Sequence, residues 1–213
     1  MTDPTFAAAS QSPASRAFFS SPVTAFLTAD AAAVVGQLSS RHVAFHASAE
    51  AEQVRAWERE VEILKGALVP FAQPGWSILL EAPLLRLGKR LDAVLLGPGL
   101  VVVIEFKTGA NAYGGADRLQ TERYAQSLRD FHEVSQARRI VPILCAEFAP
   151  ALPLTLAFAD GVADLILANA ATLGDALTLA ATVADASAPP LDALGFALSA
   201  YRPTPTIVEA AQA

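Results

Sequence analysis

The chain has 213 residues, of which 53% are apolar and 17% charged, and its formal net charge is −6. That length suits one domain with ample surface to bury in a core, and the acidic balance does not in itself advertise a polyanionic partner. A single cysteine, Cys145, excludes an internal disulfide framework and a cysteine-based zinc site, and no apolar run approaches the roughly 18 to 20 residues that span a bilayer. Residues 1–15 are Ala, Ser, Pro and Thr without pattern and read as disordered. They lack the basic start and sustained apolar segment of a secretory signal, so the expectation is a soluble, cytoplasmic protein with no membrane partner.

From Pro22 to Leu38 the residues Val23, Phe26, Leu27, Ala31, Val34, Val35 and Leu38 recur at helical spacing, with a break near Thr28-Ala29-Asp30 that offers a new N-cap. SSRHVAFHAS reads as a linker, which leaves His42 and His46 as loop residues. Glu52 to Leu68 is an amphipathic helix whose apolar stripe is Trp57, Val61, Leu64 and Leu68. Glu60 borders that stripe, three residues beyond Trp57 and four before Leu64, with Glu58 and Glu62 as its acidic neighbours. FAQPGW turns the chain into SILLEAPLL, a first strand.

The most informative stretch is GKRLDAVLLGPGLVVVIEFKTG, Gly88 to Gly109. Two apolar runs flank Gly97-Pro98-Gly99, a turn signal that joins neighbouring strands. In a strand, residues i and i+2 share a face, so Glu105 and Lys107 project together. A hairpin closing at the GPG turn brings Asp92 alongside Glu105. Burying such charges unpaired costs several kcal/mol per ion. A hard divalent cation removes the difficulty: two carboxylate oxygens, a main-chain carbonyl and waters suit Mg²⁺. Nine of the fifteen Lys and Arg residues lie between Arg86 and Arg139 against six acids, so a local basic surface can surround the hairpin in an acidic chain.

Beyond Gly109 a long helix is expected from near Asp117, on which Gln120 and Tyr124, at i and i+4, project from one face. His132 caps or packs its far end. RRIVPILCAEF and VADLILANA, the latter from Val162 to Ala170, read as buried strands, with Cys145 a core residue. Thr172 to Ala184 and Leu191 to Tyr201 read as helices separated by SAPP. This order of elements fits an α/β fold with a mixed central sheet flanked by helices.

Asp92, followed by Glu105-Phe106-Lys107 on a hairpin, resembles the core of the PD-(D/E)XK nuclease superfamily. Gln120-x-x-x-Tyr124 is similar to the motif that accompanies this core in its RecB-like branch. FFSSPVTAFL, AWEREVEIL, KRLDAVLL, VIEFKTG, YAQSLRDFHE and YRPTPTIVEAA resemble the nuclease-like N-terminal domain that certain bacterial proteins join to a superfamily 1 helicase-like ATPase. The chain has Leu91 where the superfamily name has proline, and no GxxxxGK[ST] phosphate loop.

The resemblance implies a restriction-endonuclease-like core over residues 16–200 and a tail over 201–213 like the junction to a missing helicase-like domain. It implies a Mg²⁺- or Mn²⁺-dependent deoxyribonuclease in DNA processing or antiviral defence. Asp92 and Glu105 would hold the metal, with Glu60 (its rivals being Glu58 and Glu62) as a further acid from the preceding helix, and Lys107 would orient or activate the attacking water. Gln120, Tyr124, Lys89 and Arg90 would contact nucleic acid. DNA is the expected partner, together with a helicase-like ATPase. The alternative is a catalytically weak nuclease-fold module that binds nucleic acid or a protein.

Overall fold

The computed structural model describes residues 17–45, 50–84, 87–189 and 191–203. Its elements in chain order are β1 (Phe19–Pro22), α1 (Val23–Thr28), α2 (Ala31–Phe45), α3 (Ala51–Ala67), β2 (Ser77–Leu84), β3 (Lys89–Gly97) and β4 (Leu100–Lys107). There follow α4 (Gly115–Phe131), β5 (Arg139–Ala146), β6 (Phe158–Ala159), β7 (Val162–Ala163), β8 (Ile166–Ala168), α5 (Leu173–Ala181) and α6 (Ala193–Leu198). Among the described residues the strands form one mixed sheet in the order β1-β2-β3-β4-β5-β7-β6, with β8 also pairing to β5. β1 to β4 are antiparallel neighbours, and β4 runs parallel to β5 through the crossover that carries α4. The expected α/β class with a mixed central sheet is the observed one, flanked by helices on both faces.

Two cores follow from that layering. On one face α1, α2, α3 and α5 cover the sheet, with Phe26, Leu38, Trp57, Leu64 and Leu177 packed against Leu95, Val102 and Ile143. On the other, Tyr124, Ala125 and Leu128 of α4 and Phe196 of α6 cover Leu79, Val94 and Val101. β4 is therefore covered on both sides, which is why its sequence is a continuous apolar run and not an alternating one. α3 is held by Trp57, Val61 and Leu64, all 1% exposed or less. Leu64→Ala would cost about 2–5 kcal/mol through lost transfer and the cavity left behind. Lys65, in the last turn of α3, donates to the carbonyls of Phe26, Leu27 and Ala29, ending α1 by satisfying its orphaned acceptors.

Three expectations need correction. The helix expected from Pro22 starts at Val23, because FSSP forms an edge strand. The stretch read as a linker continues α2 to Phe45, because His42 has rings to pack on: its imidazole lies edge-on to Trp57 at 5.4 Å and to Phe18 at 6.1 Å. His46 lies outside the described residues. The strand expected over Val162 to Ala170 is two short ones, β7 and β8. Of the tail, Tyr201–Pro203 lies against the end of α4, with Arg202 N donating to Phe131 O at 2.6 Å and Tyr201 bridging to His132. Residues 1–16 and 204–213 are outside the described set.

Candidate active site

The hairpin closes as its turn chemistry dictates. Pro98 and Gly99 form the two-residue connection between Gly97 and Leu100, and Gly99 takes the positive φ of 63° that a side chain would resist. The ladder then pairs residues whose numbers step together as far as Ala93 and Ile104. Asp92 and Glu105 are the next facing pair, where the two strands part. Asp92 Oδ2 spans the opening by accepting from Phe106 N at 2.8 Å.

The opening coincides with an irregularity. Glu81, in β2 beside Asp92, has φ 52°, rare for a residue with a side chain. Alternation breaks on both strands here. Leu80 packs on the α3 side but Ala82 on the α4 side, and Ala93 packs on the α3 side but Leu91 on the α4 side. Strained backbone of this kind persists when its surroundings over-determine it. Trp57 Nε1 donates to Glu81 Oε1 at 2.8 Å, and the Arg90 guanidinium holds both the Glu81 carbonyl and its carboxylate.

A cleft of about 530 Å³ opens at this point, lined by Glu60, Asp92, Glu105, Lys107, Gly109 and Asp117 among others. Glu105 is 3% exposed. Its Oε1 accepts from Lys107 Nζ at 2.9 Å and from Gln120 Nε2 at 2.5 Å, while Oε2 is buried with no hydrogen-bond partner among the described residues. Lys107 also lies 3.6 Å from Asp117 Oδ1. α3 supplies Glu60, whereas Glu58 is exposed and Glu62 is turned to solvent, paired with Arg59. On α4 the Gln120–Tyr124 face meets the sheet: Tyr124 is buried with Leu128, and Leu119 lies outward at 47% exposure.

Electrostatics set this cleft apart from an ordinary polar surface. Burial, then the proximity of Glu105, raises the Asp92 carboxyl well above its usual pKa. Burial, then Asp92, Glu81 and Glu105, does the same to Glu60. Glu105 is raised by burial too, but Lys107 opposes the shift. Burial would lower the Lys107 ammonium, yet Glu105, Asp92 and Asp117 outweigh it and hold its pKa above the usual value. The Tyr124 phenol is pushed up to about 12, first by burial and then by Glu105 and Asp92. Cys145 is likewise pushed up to about 12 by burial, so its thiol is inert as a nucleophile. Carboxylates crowded in a cleft with raised pKa values mark it as a candidate functional site.

The structure thus brings together Glu60, Asp92, Glu105, Lys107, Gln120 and Tyr124. It places the other two expected residues differently. Lys89 is exposed at the start of β3, and the Arg90 guanidinium is committed to Glu81 and to the Phe18 ring, 3.7 Å from its centroid. Two contributors escaped the sequence reading. Glu81 adds a fifth acid to the cleft's field, and Glu147, 8% exposed, accepts from Arg59 Nε at 2.5 Å and from Gly109 N at 2.8 Å, fixing the turn that follows Lys107. An acid inside an apolar strand, as in SILLEAPLL and ILCAEF, was the available signal for both.

Among the described residues no group of three or more His, Cys, Asp or Glu side chains is arranged to hold a metal ion. The donors that fit one are two carboxylates, Asp92 and Glu105, with the orphaned Glu105 Oε2 as the clearest open acceptor. A two-carboxylate donor set suits Mg²⁺ or Mn²⁺, which keep several of their own waters, better than zinc. A larger hollow of about 670 Å³ at the turn end of the hairpin, lined by Trp76, Pro98 and Leu191, carries Asp192 as its one ionisable side chain among the described residues. No helix of the described residues is long and apolar enough to cross a membrane. No family model, curated protein or solved structure matches the chain.

Proposed function

We propose that the chain is a Mg²⁺- or Mn²⁺-dependent nuclease that hydrolyses DNA phosphodiester bonds. The observation that carries this reading is the convergence of Asp92, Glu105 and Lys107 at the parting of one hairpin, with Glu105 Oε2 buried and without a hydrogen-bond partner among the described residues. When bound, the cation would polarise the scissile phosphate and lower the pKa of a water. Asp92 and Glu105 would hold it, and Glu60 would add negative charge from α3. Main-chain bonding of Asp92 to Phe106 fixes the angle at which its other oxygen is offered. Lys107 reaches the same point as an ammonium, placed to stabilise the charge that develops on the phosphate or to orient the attacking water. Gln120 holds the Glu105 carboxylate from above, so its amide acts as a positioning group. The Tyr124 hydroxyl, kept protonated, remains a donor.

A second reading, a docking module of nuclease fold with little activity, is favoured by one observation: Lys107 and Gln120 already engage Glu105 Oε1, the oxygen on the side of the ammonium. Labelled single- and double-stranded DNA incubated with and without Mn²⁺ separates the two. Metal-dependent cleavage that disappears in Lys107→Ala supports the nuclease. Binding without cleavage across metals and substrates would leave the docking module. A helicase-like ATPase partner, and a role in DNA processing or antiviral defence, belong to the same proposal and rest on the sequence resemblance.

A further inference from the structure

Immediately beyond the cleft the chain does something unusual with an aromatic ring. Phe148 is 64% exposed, although its neighbours Glu147 and Ala149 are 8% and 3% exposed. Its main chain is not loose. Glu147 N donates to Lys107 O at 3.2 Å, Phe148 N to Ala110 O at 2.8 Å, and Ala149 N to Ala146 O at 3.1 Å. The Glu147 carboxylate ties the same turn to Gly109 N and to Arg59. Across from it, the Tyr113 hydroxyl donates to Pro150 O at 3.0 Å, joining the two loops at the end of the sheet. Lys107, Gly109 and Ala110 line the acid cleft. The ring is therefore presented to solvent from a turn hydrogen-bonded to the wall of the cleft itself.

A single exposed phenylalanine usually needs no explanation. This one stands on main chain hydrogen-bonded to Lys107 and Ala110, so binding has only the two side-chain torsions of the ring left to order. Every base has a π-face, and aromatic side chains serve as platforms for bases of any identity. Stacked in a duplex, bases cannot offer those faces to a side chain. We propose that Phe148 is a base-stacking platform and that the substrate of the cleft is single-stranded DNA, the unpaired base beside the scissile phosphate resting on this ring. The proposal deepens the nuclease reading above and rests on it.

The test is binding by fluorescence anisotropy, with the whole chain in Ca²⁺, a hard cation that takes the same oxygen ligands. Three labelled probes are used: an oligothymidylate, a duplex of equal length, and an oligomer of equal length lacking bases. The wild type should bind oligothymidylate more tightly than either of the others. Phe148→Ala should weaken oligothymidylate binding roughly 10- to 100-fold and leave the duplex and base-free probes nearly unchanged, while Phe148→Trp should restore it. Because the ring is exposed, circular dichroism should show all variants folded. Unchanged oligothymidylate affinity in Phe148→Ala, with the wild type still binding DNA, would overturn the platform while the nuclease reading stands; the ring would then be free for a protein partner. A wild type that binds none of the three probes would overturn both.

Discussion

His132 and Glu105 sit at opposite ends of α4 and are almost equally buried, 2% and 3% exposed, yet the protein treats them in opposite ways. At the C-terminal end His132 is fully provided for. Its Nε2 donates to Phe196 O at 3.0 Å, its Nδ1 meets Ser135 Oγ at 2.6 Å, and the rings of Phe196 and Tyr201 flank it. Burial holds it neutral, with its pKa lowered to about 4. At the N-terminal end Glu105 keeps one oxygen without a hydrogen-bond partner among the described residues, beside acids that raise one another's pKa values. Buried polar groups in proteins are nearly always satisfied; Ser127 Oγ and Arg138 Nε also lack a hydrogen-bond partner among the described residues, but Glu105 Oε2 is a carboxylate oxygen of a residue that lines the cleft. The satisfied end fastens α6 and the following turn to the domain; the unsatisfied end is where an external ligand has something to gain.

The largest effect that separates the two ends is on catalysis. Lys107→Ala should lower the rate of Mn²⁺-dependent DNA cleavage by about 10²–10³-fold, the usual consequence of deleting one charge-stabilising donor, in a protein that circular dichroism shows still folded. Cleavage at the wild-type rate would remove Lys107 from the chemistry. His132→Ala should do the reverse. It leaves the Phe196 carbonyl and the Ser135 hydroxyl buried without their partner and opens a cavity between two rings, a loss on the order of 3 kcal/mol. At about 2–4 °C per kcal/mol for a chain of this size, scanning calorimetry should show a fall of several degrees while cleavage at low temperature persists.

The two ends also titrate in opposite senses. His132 is lowered in the folded state, so the unfolded chain binds more protons between about 6.5 and about 4. Its contribution is complete above the upper limit and is lost as pH falls through that window, by about 3 kcal/mol at most. NMR of the imidazole should find it neutral through the ordinary histidine range, with the proton on Nε2; a midpoint near 6.5 would show that the niche is wet. The carboxyls of Glu60 and Asp92 are raised, so their ionisation costs stability as pH rises through their folded-state values. Asp92→Asn keeps an acceptor for Phe106 N and removes that cost. It should raise Tm by a few degrees while abolishing activity, the trade expected where function demands strain. A lower Tm in the variant would contradict it.

How much of this was legible beforehand follows the same division. The hairpin was, because Pro98 and Gly99 fix their turn locally and a period of two then carries Asp92 to Glu105. Glu60 was separable from Glu58 and Glu62 because a 3.6-residue period puts it at the edge of the Trp57–Leu64 stripe. Gln120 and Tyr124 followed from the same period on α4, which begins at Gly115, two residues earlier than expected. What sequence could not show depended on partners distant in the chain. α2 runs on through His42 because Phe18 and Trp57 receive the ring. Glu81 lies in a stretch read only as a strand, and it is its positive φ, its bond from Trp57 and its nearness to Asp92 that place it among the acids. Arg90 was expected to contact nucleic acid, and its partner Glu81 is one the sequence could not show.

The central claim is that the unsatisfied end is built to take a divalent cation on Asp92 and Glu105. Isothermal titration of Mn²⁺ into the wild type and three variants tests it without any assumption about substrate. The account predicts binding accompanied by proton release, since raised carboxyls must ionise to ligate. It predicts loss of binding in Asp92→Ala and in Glu105→Ala. In Lys107→Ala, which frees Glu105 Oε1 of its ammonium, binding should be retained or tightened. Mn²⁺ affinity unchanged by either carboxylate substitution would contradict it.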